Sequence, residues 1–424
     1  MEVSPGFKKT DVGVIPENWD VKTLFDLAER KKELFDDGDW IESEHITSSG
    51  IRLIQTGNIG VGCFIEKEIK KYIYEKSFIS LRCKQLQVGD LLVCRLADPA
   101  GRACVLPDIG DPRVVTSVDV TIFRPPRGIV NRVYLSNVFS TPEWFRAVSD
   151  RSGGTTHKRI SRGALGRIAI SIPPYAEQLA IADALGDVDE LLGGLERLIT
   201  KKRNLKQAAM QQLLTGQTRL PGFSDKWTVN MLGDKIEKII GGGTPSRANL
   251  AFWGNEIPWV TVKDFATFTP RQAQESITRL GLKCSASHLI AAGTLITSTR
   301  MALGKAVIYD VEVAINQDLK AIFWKPDVAV LFMRYWFEHF EGMIDDLGSG
   351  STVKGISIGE LRRFPCVVPS FPEQTAIAEV LSDMDAEIAA LEQRGEKTRN
   401  LKQAMMQELL TGKTRLIPTG ATHA

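Results

Sequence analysis

Two long stretches of the chain carry a hydrophobic repeat in steps of three and four, which is typical of a helix packed along another helix. The first stretch places apolar side chains at Ile181, Leu185, Val188, Leu192, Leu195 and Ile199. The second places them at Ile377, Leu381, Met384, Ile388 and Leu391. Prolines precede both stretches and glycines follow them, at Pro174, Pro372, Gly216 and Gly412, as expected at helix ends. The pattern predicts two helices, each a rod of roughly 57 Å at about 1.5 Å per residue.

The two stretches are copies of one another. Residues 177–220 and 373–416 align without a gap at an offset of 196, and 26 of the 44 paired positions are identical. Both copies open with EQ and close with RNLKQA, LLTG and TRL. The identity predicts that the two helices have the same function. We expect this function to include the docking of partners through the EQ and LKQ ends.

The charges predict how the helices pair. Residues 177–196 hold six acids and no Lys or Arg, whereas residues 197–219 hold six bases and no acid. Residues 373–392 again hold six acids and no base, and residues 393–415 hold six bases and two acids. Antiparallel pairing sets each acidic half against a basic half, and such flanking charges select orientation. We therefore expect an antiparallel pair within one chain, related by a pseudo-two-fold axis. The alternative is two ordinary helices, each packed on its own domain.

A strand-rich region precedes each helix. The first has the runs IRLIQTGNIGVG, GDLLVCRLA, GRACVLP and VDVTIFRP, then a predicted helix near Val130–Asp150. The second reads differently over most of its length, yet both open at a tryptophan, Trp19 or Trp227. Both also end in a Gly/Thr/Lys loop, SGGTTHKRIS or GSGSTVKGIS, at the same 196-residue offset. The sequence thus predicts two heads with a shared frame and different side chains.

Composition sets the broad class of protein. A length of 424 residues predicts about three domains, and 43% hydrophobic with 25% charged residues is ordinary for a globular protein. The net charge of +2 means that any nucleic-acid surface must be local. The six cysteines include no CxxC pair, and no run approaches 18 apolar residues. We expect a cytoplasmic protein with reduced thiols, no metal and no membrane.

Three motifs that suggest chemistry have simpler structural explanations. The run IPPY at 172–175 resembles the amino-methyltransferase motif, but Ile172 stands where a polar residue is required. The run TGKT at 411–414 lacks the earlier glycine of a phosphate loop, so helix capping is the better interpretation. Asp108, Asp111 and Asp119 lie in turn-like surroundings and predict solvated turns rather than a nuclease site.

The repeated EQ…LKQ…LLTG.TRL helix, the tandem layout and the stretches GGGTPS, FWG, IPWVT and GSGSTVKGIS resemble the specificity (S) subunit of type I restriction–modification enzymes. The resemblance covers almost the whole chain and is weakest in the first head, where GVIPENW, LIQTGNIG and GDLL carry it. It implies an α+β fold with two mixed α/β target-recognition domains in pseudo-two-fold arrangement, separated by two long helices that form an antiparallel coiled coil.

The implied organisation has seven parts. They are an N-terminal arm (1–18), target-recognition domain 1 (19–173, head 1), spacer helix 1 (174–216), a linker (217–226), target-recognition domain 2 (227–370, head 2), spacer helix 2 (371–412) and a C-terminal tail (413–424).

The resemblance also implies the function. Each head would read one half of a bipartite, asymmetric site in double-stranded DNA, and the helix pair would set the spacing. Two methyltransferase subunits that modify adenine would dock on this chain, and motor/endonuclease subunits would join them. The chain itself would be non-catalytic and need no cofactor, with S-adenosylmethionine bound by the methyltransferase subunits.

Candidate DNA-binding residues are polar or basic side chains at turns and strand ends. Loops repeated in both heads suit phosphate contact, which gives Lys158, Arg159 and Lys354. Base-reading residues must differ between heads. In head 1 we expect Gln55, Asn58, Arg95 and Arg102. In head 2 we expect Thr244, Ser246, Lys263, Arg300, Lys305 and Gln317. Trp253 and Trp259 are expected in the core.

Two other functions remain open from the residues alone. A two-headed structural adaptor would bind proteins or other polymers without DNA specificity, and salt-dependent, sequence-specific duplex binding would exclude it. A fused methyltransferase is disfavoured by the missing motifs, and methyl-donor binding to the isolated chain would favour it.

Overall fold

The structure is a computed structural model that describes residues 5–154, 158–349 and 354–416. The chain divides into two compact units. Unit 1 comprises Met1–Gly194 with Gly395–Ala424, and unit 2 comprises Leu195–Arg394. Each unit therefore contains one head, the first half of the long helix that follows it and the last half of the other long helix.

The strands in the described residues of unit 1 are short and lie in four sheets. They are β1 (Phe7–Thr10), β2 (Gly13–Pro16), β3 (Asp20–Thr23), β4 (Phe35–Asp37), β5 (Ile46–Thr47), β6 (Ile51–Ile54), β7 (Lys71–Ile73), β8 (Leu91–Cys94), β9 (Ala103–Val105), β10 (Val114–Thr116), β11 (Val120–Phe123) and β12 (Ala169–Ile172). The helices are α1 (Leu24–Leu27), α2 (Glu75–Ser80), α3 (Arg132–Val138), α4 (Pro142–Ser149) and α5 (Arg162–Gly166). The long helix α6 (Tyr175–Leu214) follows and continues into unit 2.

The strands of unit 2 repeat much of this order. They are β13 (Thr228–Met231), β14 (Ile236–Gly241), β15 (Trp253–Val260), β16 (Glu275–Ile277), β17 (Leu289–Ile290), β18 (Leu295–Ser298), β19 (Ala306–Ile308), β20 (Val313–Ile315), β21 (Leu319–Trp324) and β22 (Pro365–Val368). The helices are α7 (Leu232–Lys235), α8 (Arg279–Lys283), α9 (Val330–Asp346), α10 (Ile358–Arg362) and the long α11 (Phe371–Leu409).

The two heads share a sheet topology. One four-stranded antiparallel sheet runs β4-β11-β8-β9 in head 1 and β14-β21-β18-β19 in head 2. A second sheet contains a parallel pair, β10 with β6 or β20 with β15, and a third strand, β7 or β16. The fourth strand differs, because β5 pairs with β7 in head 1 whereas β17 pairs with β20 in head 2. A two-strand sheet, β3-β12 or β13-β22, joins the entry of each head to its exit.

Two segments differ from the sequence-based expectation. The described part of the expected N-terminal arm contains the hairpin β1-β2, with Ile15 buried at 3% exposure. The helix expected near Val130–Asp150 is two helices, α3 and α4. Thr141 caps α4 and Pro142 begins it, and a proline that cannot donate a backbone hydrogen bond prevents one continuous helix.

The long helices run antiparallel within each unit. In unit 1, Ile181 and Leu185 of α6 lie in one apolar core with Leu409 and Leu410, at the end of α11 and just beyond it. In unit 2, Ile377 and Leu381 of α11 share a core with Leu213 and Leu214 at the end of α6. The start of one helix thus meets the end of the other, as the charge pattern predicts.

The repeated EQ and TRL ends of the helices bind each other. Glu177 is 1% exposed and accepts hydrogen bonds from Arg415 Nε and Nη2, at 2.5 and 2.7 Å, and from the Trp19 indole N–H at 3.0 Å. Glu373 is fully buried and accepts Arg219 nitrogens at 2.5 and 2.6 Å. Each arginine also lies over the entry tryptophan of its unit, Arg415 over Trp19 and Arg219 over Trp227. The same residues therefore close both units.

The repeated glutamines are also internal, which corrects the expectation that the EQ ends are free for partners. The Gln178 side chain is 1% exposed and bonds to the backbone at Asn131, Ile129 and Pro173. Gln374 makes the matching bonds to Ala329, Asp327 and Pro369. Both glutamines tie the start of a long helix to the segment that leads into α3 or α9.

The repeated LKQ lysines each bind an acid of the opposite long helix, and Lys206 also binds one of α9. Lys402 lies 2.6 Å from Asp189 in unit 1. Lys206 lies 2.8 Å from both Asp385 and Glu338 in unit 2, where Tyr335 also donates to Asp385. Partial burial acts to raise the pKa of Asp385, but the Lys206 and Tyr335 hydrogen bonds outweigh it and hold that pKa below its ordinary value.

Candidate nucleic-acid interface

The loop that follows α4 in head 1 is closed by its own backbone. The Gly153 N–H donates to the Arg159 carbonyl at 3.0 Å, and the Arg159 N–H donates back at 2.9 Å. The Lys158 carbonyl accepts from Ala97, and the Ile160 N–H donates to the Arg95 carbonyl at 3.0 Å. These bonds fix the loop beside the end of β8, with the Lys158 and Arg159 side chains exposed. Residues 155–157 of the Gly/Thr/Lys loop lie outside the described residues.

Head 2 builds the same loop from different residues. Ser349 and Gly355 exchange two backbone hydrogen bonds of 2.9 Å. The Lys354 carbonyl accepts from Met301, and the Ile356 N–H donates to Thr299 at 3.0 Å. Lys158 and Lys354 therefore occupy equivalent positions, and the end of β18 takes the place of the end of β8. Residues 350–353 lie outside the described residues.

An acid beside each loop holds an exposed arginine. Asp119 and Asp318 are equivalent, because their carbonyls accept from Arg95 and Thr299 at 2.8 and 2.9 Å. Asp119 binds Arg159 of the loop at 2.8 Å in head 1. Asp318 lies 3.6 Å from Arg300, which comes from the strand end instead. The two heads thus present an arginine near the same place from different points in the sequence, a relation that the sequence offset alone does not reveal.

Polar residues of head 2 extend this surface. The Thr244 hydroxyl donates to the Gln317 side chain at 2.7 Å, and both residues are exposed. Gln317 adjoins Asp318, and Lys320 donates to the Gln317 carbonyl at 2.7 Å. Thr244, Gln317, Arg300 and the Lys354 loop thereby form one surface, which we call the head-2 polar face.

The other head-2 candidates lie around this face or apart from it. Ser246 is exposed two residues beyond Thr244, and its carbonyl accepts from the Trp253 indole. Lys263 is exposed on a 3-10 turn (Val262–Phe265). Lys305 is directed to Glu341 of α9, 4.0 Å away. Lys354 is half-buried and bound to Asp345 at 2.6 Å. Thr244, Arg300 and Gln317 are therefore the most directly grouped.

Arg247 is an exposed cation of head 2 that the sequence did not single out. Its guanidinium lies 3.9 Å from the centre of the Trp253 ring and forms two hydrogen bonds to Glu275. Trp259 is 3% exposed, as expected of a core residue, and Trp253 is half-buried beneath Arg247. In the sequence only its position directly after GGGTPS marks Arg247, and that signal is weak.

Two of the four head-1 candidates for base reading, Asn58 and Arg95, have buried side chains. Asn58 is 4% exposed, accepts from the Gln55 N–H at 3.0 Å and donates to the Ile65 carbonyl at 2.9 Å, so it closes a 3-10 turn. Arg95 is 3% exposed and donates to the carbonyls of Ile160 and Val118. Burial lowers the pKa of Arg95, an effect that neighbouring Asp37 opposes. Both side chains face inward and hold loops together, including the loop of Lys158.

The remaining head-1 candidates are half-buried. Gln55 caps the turn that Asn58 closes. Arg102 reaches the carbonyl of Thr56 at 3.4 Å. Neither lies as open to solvent as Lys158 or Arg159.

The motifs that suggest chemistry have structural roles. IPPY is the end of β12 and the start of α6, where the Pro173 carbonyl accepts from Gln178. Gly216 and Gly412 both have φ of +71° just beyond a long helix, which confirms the capping interpretation of TGQT and TGKT. Asp108 accepts from the Gly110 N–H within a turn, and Asp111 lies 3.6 Å from Arg52.

Residues 5–154, 158–349 and 354–416 contain no group of three or more His, Cys, Asp or Glu side chains placed to hold a metal ion. In the same residues no helix has the length and apolar character needed to cross a membrane. Burial raises the pKa of Cys83 to about 11 and those of Cys104 and Cys366 to about 12, which keeps these thiols protonated near neutral pH.

Comparison with known proteins agrees with this architecture. The family profile of the type I restriction modification DNA specificity domain matches residues 16–205 and again residues 224–399. The chain is 26% identical over 434 residues to the putative type I restriction enzyme MjaX specificity subunit of Methanocaldococcus jannaschii, covering 97% of each. It is 27% identical over 262 residues to the EcoR124I/EcoR124II specificity subunit of Escherichia coli, covering 57% of this chain and 62% of that protein.

Solved structures show the same fold. The type I S subunit from M. genitalium superposes with a TM-score of 0.59 at 14% identity, over 96% of this chain and 98% of that one. A chain from a type I R-M system, solved to explain complex assembly and conformational transition, also gives 0.59 at 18% identity, over 94% and 99%. With two matched domains that together span most of its length, the chain belongs to the type I restriction–modification DNA specificity family.

Proposed function

We propose that each head of this specificity subunit reads one half of a bipartite, asymmetric site in double-stranded DNA. The two heads share most of their strand topology and the Gly/Thr/Lys loop, yet they present different side chains beside that loop. Identical readers would favour a palindrome, whereas different readers call for two different half-sites.

The repeated loops contact phosphate. Lys158 and Lys354 occupy the same position on the same backbone, and Arg159 adds a second cation in head 1. A contact that does not depend on base identity suits an element that both heads share, because phosphate contacts set register and orientation without carrying sequence information.

The head-2 polar face reads bases. Arg300 has 58% of its side chain exposed, and Gln317 and Thr244 are linked to each other by a hydrogen bond. Arginine pairs with guanine and glutamine with adenine through two hydrogen bonds in the major groove. Ser246, Lys263 and Lys305 are secondary candidates around this face. In head 1, Gln55 and Arg102 remain candidates only as partly exposed side chains.

The helix pair sets the distance between the half-sites. Helices α6 and α11 have 40 and 39 residues, or about 60 Å of rod each at 1.5 Å per residue. The Arg415–Glu177 pair closes unit 1 and the Arg219–Glu373 pair closes unit 2, and we call these pairs the glutamate–arginine locks. In this proposal the length of helix between the locks sets the gap between the half-sites.

The helices also dock two methyltransferase subunits, which methylate adenine, and motor/endonuclease subunits join that assembly. The run RNLKQA occurs in both helices with its leucine exposed, Leu205 at 47% and Leu401 at 56%. Two equal surfaces on one chain suit two equal partners. Because EQ is buried, this exposed face is the better docking surface.

One observation carries the proposal: the same backbone loop lies beside two side-chain surfaces that differ. The test is a map of N6-methyladenine in a methylation-free host that expresses this chain with its methyltransferase subunit. We expect a split, asymmetric motif that disappears when this chain is omitted. A motif that persists without the chain, or no motif, would contradict the proposal.

A further inference from the structure

The segment after β4 in head 1 takes the same path as the Gly-rich segment after β14 in head 2. The Asp39 N–H donates to the Thr116 carbonyl at 2.9 Å, and the Gly243 N–H donates to the Ile315 carbonyl at 3.0 Å. Thr116 and Ile315 are the last residues of the equivalent strands β10 and β20. The residue that follows Asp39 therefore corresponds to Thr244.

Two glycines support this equivalence independently. A side chain at Gly38 would collide with the carbonyls of Thr116 and Ser117. A side chain at Gly242 would collide with the carbonyls of Ile315 and Asn316, the equivalent pair. In both heads the backbone at this glycine therefore packs closely against the end of the equivalent strand. Two residues later, head 1 has Trp40 where head 2 has Thr244.

Trp40 is exceptionally exposed for its residue type. It is 66% exposed, whereas the other seven tryptophans of the chain are buried or half-buried. Its backbone is nevertheless fixed. Asp39 is 9% exposed and accepts from the Lys84 N–H at 2.7 Å, and Ile41 packs on an apolar cluster. A large apolar side chain is thus held outward on a rigid support.

The surroundings of Trp40 show what it can recognise. Its indole N–H donates to Glu42 at 2.8 Å, so the side chain offers apolar area rather than a free donor. Head 1 has Val118 in the place of Gln317 and Leu96 in the place of Arg300, and both are half-exposed. Arg159 of the Gly/Thr/Lys loop and its partner Asp119 adjoin them. At these three positions, beside the same loop, head 1 therefore has apolar side chains where head 2 has polar ones.

We propose that Trp40 is a specificity-determining residue of head 1, which contacts the 5-methyl group of a thymine in the major groove. That methyl group is the apolar feature among the base edges of the groove, and apolar side chains recognise it. The exposed carboxylate of Glu42 makes a phosphate an unfavourable neighbour and favours approach to a base edge. This inference rests on the proposed function, since it names a contact within the half-site that head 1 reads.

The test uses the assembled methyltransferase complex and duplexes in which each thymine of the head-1 half-site is replaced, one at a time, by deoxyuridine. In the wild-type complex one replacement should weaken binding about fourfold, the size expected for one buried methyl group. Trp40→Ala should abolish that sensitivity and leave reading of the head-2 half-site unchanged. Trp40→Phe, which keeps an apolar ring, should retain most of it.

Each other outcome overturns the inference. A head-1 half-site without an A·T pair, or equal binding of all deoxyuridine duplexes by the wild type, removes the proposed contact. Sensitivity that persists in Trp40→Ala assigns the contact to another residue. Loss of subunit assembly in Trp40→Ala would make Trp40 a protein-binding residue. A split motif that is intact in every case leaves the proposed function standing, whereas the absence of any sequence preference would contradict that function as well.

Discussion

Two buried carboxylates explain several of the residues that the long helices share. Glu177 and Glu373 each sit at the start of one helix and bind an arginine from the tail of the other. A buried carboxylate without its cation is strongly destabilising, so the glutamate and the arginine must be retained together. The repeated residues EQ and TRL therefore belong to the internal architecture of both units.

Arg219→Ala should lower the free energy of unfolding of unit 2, because it removes the cation that the buried Glu373 carboxylate binds. The matched control is Arg203→Ala, which breaks the largely exposed pair between Arg203 of α6 and Glu392 of α11. The control should cost about 0.5 kcal/mol. Urea denaturation followed by tryptophan fluorescence measures both, and equal costs would refute the assigned difference.

Arg300 and Lys158 should behave differently when removed. Arg300→Ala should relax discrimination at one position of the head-2 half-site, at a cost of about 1–3 kcal/mol, and leave the other half-site unaffected. Lys158→Ala should weaken binding evenly across sequences and reduce the salt dependence by about one phosphate contact. Competition binding with single-base variants at several salt concentrations separates the two. A uniform loss for Arg300→Ala would make it a phosphate contact instead.

The residue types of an interface are visible in a sequence, but the direction of each side chain is less so. Thr244, Gln317 and Arg300 were predicted separately and lie on one surface. Asn58 and Arg95 have equally suitable chemistry, yet turn and strand geometry direct them inward. A one-residue change along a strand reverses the face, so polar residues near strand ends cannot be sorted from the sequence alone. Trp40 was missed because exposed tryptophans are rare.

At the scale of elements, the long helices were predictable because their signals agree. Spacing, charge and capping glycines all indicate the same two antiparallel helices, and α6 and α11 begin and end within a few residues of expectation. The heads were less predictable. Their strands of two to eight residues pair over long sequence separations, and the fourth strand of one sheet even changes edges between the heads.

Insertion of one heptad into the middle of both long helices should lengthen the rod by about 10 Å. The apolar seam stays in phase, so both glutamate–arginine locks should still form. The gap between half-sites should grow by about three base pairs at 3.4 Å each, and the half-sites themselves should not change.

Methylation mapping reads out the gap directly. Insertion into one helix alone is the matched control, because it moves the locks out of register and should abolish assembly. An unchanged gap in the double insertion would remove the spacing role of the helices.

At the scale of the whole molecule, the two units share one architecture but differ in the side chains of their heads. The glutamate–arginine locks, the buried glutamines and the Gly/Thr/Lys loop recur in both units. The positions of Thr244, Gln317 and Arg300 beside the loop in head 2 are apolar in head 1. This plan suits the proposed function, in which the repeated parts bind equal partners and the divergent surfaces read two different half-sites.

The most direct test that each head reads one half-site is to replace one head. Residues 227–350 are replaced with the corresponding head of another specificity subunit, with α6, α11 and head 1 left intact, and N6-methyladenine is mapped in a methylation-free host. We predict that one half-site changes, while the other half-site and the gap between them stay the same. A change in both half-sites, or in neither, would contradict the assignment of one half-site to each head.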